Sequence, residues 1–554
     1  MHNISKIIAV IFLVALHNTN AQKIRMLKDI NEGGDDGMAL FISTNIGSNM
    51  PVINNGYLFF SAKSNDNKEA IWKSDGANEG TVKIGGDTPL HSISNMCSYN
   101  NSILFSANDG VHGEELWILD VKNEKLSLVK DLWEGEHPSY PRNFALCDNQ
   151  LLFEVNIHSE DPSQQLYVTN GTQKGTHPFY FLKVDSMKGY GIALAGSTIN
   201  LPPLLFKNYA LLGEVYFGRV GMTDLTTKVT EILSDLQQVS GQRNFTTYKK
   251  DTNFVFISYS GTLEHLWISD GTDQNTNIIF SAGRIFSPTK FNGEIYFWAR
   301  DTAPFADYWL MRTDGTSEGT KRVKYFHDIA WHGYGRPDDI VVFKNKLFFS
   351  TIDSDEKSVL WMSNGGENST VPIADIEADL SNSVIFDDRL YFAGYTPSTG
   401  WEVWYINPDN NTPTLFQDLY EGSESSLRPQ NSAMPLPCFF TYNNKLFFQA
   451  NDGIYGTEYH FIESETETGI INEFDISERI TFEMDGANKT LTVSNIPQEK
   501  MYFEVYNYLG EKILSKDISS TVLQFGVQDL ISGNYIFILH NHTKNYSFST
   551  SVIQ

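Results

Sequence analysis

The residues best equipped for chemistry sit in two stretches, "FHDIAWHGYGRPDD" (326–339) and "WEGEHPSYPR" (133–142). The first holds Trp331, His332, Tyr334 and Arg336, and the second holds His137, Tyr140 and Arg142. A His or Tyr base beside a cation that neutralises a uronate is the set a polysaccharide lyase needs to remove a proton α to a carboxylate. His332, Tyr334 and Arg336 are therefore the residues an enzyme reading would use. The opposing reading is that polar residues are ordinary in connecting loops, where they serve binding as readily as catalysis. On that reading all seven residues are candidates for ligand binding and none is assigned a catalytic role.

A third stretch, "DGVHGEE" (109–115), is acidic enough to suggest calcium. It lacks the alternating acidic spacing of a loop that wraps oxygens round an ion. Matching stretches elsewhere, "AKSNDNKEAI" and "AGYTPSTGWEV" among them, replace the acids freely. Turns held by Asn and Asp side chains explain the pattern better, so no metal or cofactor is expected, with calcium as the alternative. The three cysteines, Cys97, Cys147 and Cys438, are too widely spaced for a zinc site and read as buried small residues. No phosphate loop, metalloprotease helix or nucleophile elbow is present. The formal net charge of −26 repels phosphate backbones and excludes nucleic acid as a partner. It also counts against an anionic polysaccharide substrate.

These stretches belong to a larger order. An aromatic slot recurs in "AIWKSDGANEGT" (Trp72), "ELWILD" (Trp117), "QLYVTNGT" (Tyr167), "HLWISDGT" (Trp267), "VLWMSNGG" (Trp361) and "EVWYINPD" (Trp404). Met311 fills it in "YWLMRTDGT", Tyr459 in "TEYHFIE" and Gly221 in a degenerate copy, giving nine copies of about 50 residues each. Each copy runs through an apolar strand such as "SILFSA", a polar loop, the strand with the slot, an Asp-Gly or Asn-Gly turn and a further strand such as "LSLVKDL". The large aromatics sit where they fill the space between sheets, so they read as core rather than as a sugar-stacking surface. Short antiparallel sheets repeated at this period predict an all-β fold, a β-propeller of eight or nine blades. The uncertain blade is 177–235. The opening segment "KIRMLKDINEGG" copies the strand ending "LVKDLWEGE" without earlier strands of its own, so it is expected to complete the last blade and close the ring.

The pattern "ILFSANDGVHGEELWILD", with "LWISDGT", "TDGTSEGT" and "LVKDLWEGEHPSYPRNFALCDNQLLF", resembles a family of bacterial secreted repeats of the ELWxxDGT type. The resemblance covers roughly 24–472. That family is known for its repeat and not for a reaction, so it implies architecture alone.

After 475 the grammar changes to alternating strands without the aromatic slot, which predicts a small β-sandwich. "FEVYNYLGEKIL" (503–514) and "VQDLISGNYIFIL" (527–539), with Gly510 and Gly533, resemble the type IX secretion C-terminal sorting domain. That resemblance implies the outer-membrane type IX export machinery as the partner of 475–554. An accessory sandwich that binds something is the other reading.

At the other end, "MHNISKIIAVIFLVALHNTNAQ" has Lys6, an apolar run too short to span a bilayer, and small residues at Thr19 and Ala21. It reads as a secretory signal, 1–21, cleaved after Ala21. The expected organisation is thus signal 1–21, propeller 22–474 and sorting sandwich 475–554. The expected place is outside the cell or on the outer-membrane surface. The expected role is non-catalytic binding of a surface glycan or protein. The competing roles are a secreted lyase-like enzyme and a structural surface or matrix protein.

Overall fold

The computed structural model describes residues 22–38, 50–157, 166–179, 253–326, 339–427 and 439–464 apart from short gaps, together with strands within 192–246 and 481–552. Segment 1–21 lies outside the described residues. Between residues 24 and 463 the described chain forms nine antiparallel sheets. Eight have four strands, and the 192–234 sheet has five.

Seven of the sheets take four consecutive strands in chain order. The first is typical, with Val52–Asn54, Tyr57–Lys63, Glu69–Ser74 and Val82–Ile84 side by side. The ninth is different. Its strands Phe440–Tyr442, Lys445–Asn451 and Thr457–Glu463 are completed by Ile24–Met26 from the far end of the chain. Ile24 stands opposite Ile462 and Met26 opposite His460. The stray opening strand therefore closes a ring, as its sequence foretold.

Neighbouring sheets bury each other's faces. Leu58, Phe60 and Trp72 of the first sheet share a core with Leu27, Tyr459 and Phe461 of the closing sheet. The 377–417 sheet packs on the closing sheet's other face through Tyr391, Val403, Leu446 and Phe448. Similar clusters join 52–84 to 91–130, 242–282 to 284–326 and 341–374 to 377–417. The fold is an all-β propeller.

The repeat has a physical basis in cross-strand pairs. A phenylalanine stands opposite the aromatic slot: Phe60 faces Trp72, Phe105 faces Trp117, Phe256 faces Trp267 and Phe392 faces Trp404. Such pairs are the unit of sheet stabilisation. Trp72, Trp117, Tyr167 and Trp267 are buried, and Trp361 and Trp404 are half-buried. They are core, not a sugar platform. One assignment needs correction. Phe448 faces His460, so His460 fills the slot of the closing sheet and Tyr459 points to the other face. There Tyr459 meets Phe60 of the first sheet edge-on at 5.0 Å.

The Asp-Gly turns carry a second device. Two hydroxyls seven residues apart bond across each turn: Ser74 to Thr81 at 2.7 Å, Thr169 to Thr176 at 2.7 Å and Thr313 to Thr320 at 2.8 Å. Ser269–Thr276 and Ser363–Thr370 repeat it. In each pair at least one hydroxyl belongs to a buried residue, and the bond to its partner satisfies it.

Among the described residues, seven strands between 481 and 552 form two further sheets. They enclose a core of their own, including Leu491, Val493, Met501, Phe503, Val505 and Leu523.

Candidate functional site: the connector face

Strand order decides which loops share an end of the propeller. In a four-stranded up-and-down sheet, the turn between strands two and three lies at the same end as the connector to the next sheet. The stretches "NDGVHG" and "WEGEHPSY" therefore share one end. The hydroxyl-paired Asp-Gly turns lie at the opposite one.

On this end, side chains hold the polar turns. Asn108 Oδ1 accepts the Gly110 amide at 2.7 Å, and Asp109 Oδ1 accepts the amides of Val111 and His112 at 2.9 Å each. Asn451 and Asp452 hold "NDGIYG" in the same way. Asp109 also bonds the His112 ring at 2.8 Å, which raises the His112 pKa above the usual value, and against its own burial Asp109 is held low by the His112 amide and ring.

The connectors themselves are pinned by a glutamate that sequence reasoning missed. Glu115, Glu402 and Glu458 are each 0 % exposed. Glu115 accepts the Leu132 amide at 2.8 Å, the Trp133 amide at 3.3 Å and the Ser139 hydroxyl at 2.7 Å. Glu402 accepts the Leu419 amide at 3.2 Å, the Ser426 amide at 3.0 Å and its hydroxyl at 2.6 Å. Glu458 accepts the amides of Ile30 and Asn31 at 3.1 and 3.3 Å. Burial drives the pKa of Glu115 and Glu402 up to about 7 and that of Glu458 to about 8, against the lowering effect of these donors.

Each glutamate follows a glycine by two positions, Gly113, Gly400 or Gly456, with φ of 71°, 64° and 71°. A Cβ there would meet the connector backbone at His137, Glu424 or Asp35, at 2.7, 2.1 and 2.5 Å. Only glycine allows this approach and this φ together. An aspartate opens each connector. Asp131, Asp418 and Asp29 each accept the amide of a glycine four residues on, at 3.1, 3.1 and 3.2 Å. The motif is thus G-x-E on one hairpin and D-x-x-x-G on the connector it grips.

Of the expected site residues, His137 and Tyr140 are exposed on this face. The His137 ring stacks on Trp133 at 4.9 Å. Tyr140 has φ of 49°, and its amide bonds the Glu114 carbonyl at 3.2 Å. Arg142 is half-buried, with its Nε 3.6 Å from Glu154 of the adjacent strand. Trp331, His332, Tyr334 and Arg336 lie outside the described residues. Among the described residues no three His, Cys, Asp or Glu side chains converge as a metal-binding set. Cys97 is half-buried and its thiol is pushed up to about 12 by burial. The Cys147 side chain and Cys438 lie outside the described residues.

Exposed apolar side chains mark the hairpin tips. Val111 and Ile454 occupy equivalent positions and are 60 % and 66 % exposed. Tyr455 and Tyr140 are exposed on the same face.

No protein-family model and no curated protein matches the chain. Solved structures with similar strand arrangements include a prolyl endopeptidase, at 9 % identity and a TM-score of 0.36 over 73 % of this chain and 54 % of that one. The chain thus spans about half the length of that enzyme. An oligogalacturonate lyase in complex with manganese is similar at 10 % identity and a TM-score of 0.36, over 76 % of this chain and 98 % of that one. PorZ, a surface component of the type IX secretion system of Porphyromonas gingivalis, is similar at 9 % identity and a TM-score of 0.19, over 96 % of this chain and all of that one, 100 %. At such scores the propeller assignment rests on the strand pairing and packing of this chain.

Proposed function

We propose that this chain is an exported, non-catalytic β-propeller that binds a glycan or protein at the cell surface or outside the cell. The carrying observation is the pair of exposed apolar tips, Val111 and Ile454, on hairpins whose glutamates grip the neighbouring connectors. Binding surfaces favour such rigid loops, because little freedom is lost on association. On this reading 22–474 is the binding body and the connector face is its working surface, with His137 and Tyr140 beside the tips. Trp331, His332, Tyr334 and Arg336, outside the described residues, are carried as sequence candidates for the same binding role. Residues 1–21 serve as the signal removed after Ala21, and 475–554 engage the type IX export machinery.

The test is retention of the full chain on immobilised surface glycans and surface proteins. Replacing Val111, Ile454 and Tyr455 together with serine is expected to weaken retention about tenfold or more, as loss of central apolar anchors does. Thermal melting should stay within a few degrees of the parent, since these side chains are exposed. Unchanged retention by the triple variant contradicts the assigned face.

A further inference from the structure

The outermost strand of the 284–326 sheet, Lys321–Phe326, reads "KRVKYF" and holds three cations and no acid. Outer strands elsewhere guard their open edges with less. Lys83 serves in Val82–Ile84, Pro178 in His177–Pro178 and Pro372 in Val371–Ala374. One such residue discourages edge-to-edge pairing, so the further cations of Lys321–Phe326 ask for another role. Their setting is specific. Arg322 lies over the Trp309 ring, its guanidinium carbon 4.0 Å from the ring centre. Tyr325 stands opposite Trp309 and stacks on it at 6.0 Å and 26°. Trp309 is buried, whereas Arg322 and Tyr325 are exposed, so one indole holds a guanidinium and a phenol at the surface. The strand bulges at Val323, which sends Arg322 to the Met311 side of the sheet and Lys324 to the Leu310 side. There Lys324 reaches over Trp361 of the next sheet at 5.7 Å.

Other cations stacked on aromatic rings also give their hydrogens to an acceptor. Lys73, over Tyr57, bonds Glu124 at 2.9 Å. Lys445, over Phe461, bonds the Gly76 carbonyl at 2.7 Å, and Arg389, over Tyr405, bonds Gln22 at 3.0 Å. Among the described residues no acceptor takes a hydrogen from Arg322 or Lys324. Two acids of the same sheet are engaged elsewhere. Glu294 takes Arg312 at 2.9 Å, and Asp314 takes the Thr316 amide at 2.9 Å. A guanidinium held flat on an indole keeps its N–H edges pointing outward, in the fork that matches a carboxylate.

We propose that the open edge of Lys321–Phe326 is a second binding site, which takes an acidic polysaccharide. Arg322 and Lys324 meet its carboxylates from the two sides of the strand, and a sugar ring lies on Tyr325. An acidic peptide would meet the same cations. Tyr325 favours the sugar, because its ring is 39 % exposed and held near parallel to Trp309, which suits the apolar face of a pyranose. The net charge of −26 does not forbid the ligand, since charges more than about 8 Å away are largely screened at physiological salt. The site lies on a different sheet from the Val111 and Ile454 tips, so it stands or falls without them.

Affinity of the full chain for immobilised alginate, a polyuronate, tests this, with dextran as the neutral glycan and polyglutamate as an acidic chain without sugar. The parent should bind alginate more tightly than either, and added salt should release it. Arg322→Gln with Lys324→Gln is expected to weaken alginate binding about tenfold or more. Arg322→Lys keeps the charge and loses the fork, so it should weaken binding by a smaller factor. Tyr325→Ser should weaken alginate binding and leave polyglutamate binding unchanged. Lys83→Gln removes a cation from another outer edge and should change nothing. No retention of the parent by alginate overturns the proposal, as does unchanged affinity in the Arg322 and Lys324 double variant. Equal losses from Lys83→Gln would show that net charge alone is read. Polyglutamate bound as tightly as alginate would assign the edge to an acidic protein, and either result also overturns the proposal.

Discussion

Deleting residues 22–38 is expected to abolish the closed ring. Ile24, Leu27, Ile30 and Met38 are all buried in cores shared with the closing sheet or its neighbours. Each fully buried apolar side chain contributes about 1.5–3 kcal/mol, so the four contribute roughly 6–12 kcal/mol. That is comparable with the whole stability of an ordinary domain, about 5–15 kcal/mol. The deletion also bares the edge of strand Thr457–Glu463 and the faces of Phe60 and Tyr459, which invites edge-to-edge association. Size-exclusion chromatography should show aggregates, and the cooperative thermal transition should be lost. Excess synthetic peptide 22–38 should restore part of both. A monomeric deletion variant that melts like the parent would contradict a ring closed by this strand.

Replacing Glu402 separates the clasp from mere burial. Glu402→Ala leaves the Leu419 amide, the Ser426 amide and the Ser426 hydroxyl without their acceptor in a site with no solvent. The expected cost is about 3–5 kcal/mol, since each buried donor left without an acceptor costs about 1–3 kcal/mol. Glu402→Gln keeps the shape and one acceptor oxygen, so it should cost about 1 kcal/mol or less at pH 5.5. The Glu402 carboxyl is raised to about 7 by burial. Its contribution is therefore present at low pH and declines as pH rises through that value, so the glutamine variant should match or exceed the parent at pH 8.5. Urea midpoints at the two pH values check both variants. An alanine variant as stable as the glutamine variant would remove the glutamate from the account of how connectors are held.

The ring was legible in the sequence because its signals are local. Asp-Gly turns, aromatic slots and apolar strands recur at a steady spacing, and "KIRMLKDINEGG" repeats an ending it has no beginning for. The closing slot was misplaced by one residue. The shared frame A-N-D-G-x-x-G-x-E, counted through from Ala107 and Ala450, leads to Trp117 and His460. Aromatic identity misled where register would not have. The clasps escaped notice for a different reason. Glu115 meets Leu132 and Ser139, 17 and 24 residues away, and Glu458 meets Ile30 at a separation of 428. A carboxylate whose partners are backbone amides and at most one serine hydroxyl leaves no charged partner side chain to recognise. One signal was available: each G-x-E that forms a clasp is matched by an aspartate with glycine four residues on, at Asp131, Asp418 and Asp29. Within the expected site, residue type in "WEGEHPSYPR" does not show which side chains the connector leaves at the surface. Arg142 begins a strand and faces Glu154 across the sheet, while His137 and Tyr140 reach the surface.

The most direct test of the central claim incubates the full chain with neutral and acidic polysaccharides and records both retention and product. New chain ends and the ultraviolet absorbance of an unsaturated sugar report hydrolysis and elimination. Protein surface partners are screened in parallel by retention alone. A propeller that binds through its connector face should be retained by a glycan or a protein, and no polysaccharide should yield product after long incubation. Turnover of any polysaccharide that is lost with His332, Tyr334 or Arg336 would contradict the account and make the chain an enzyme.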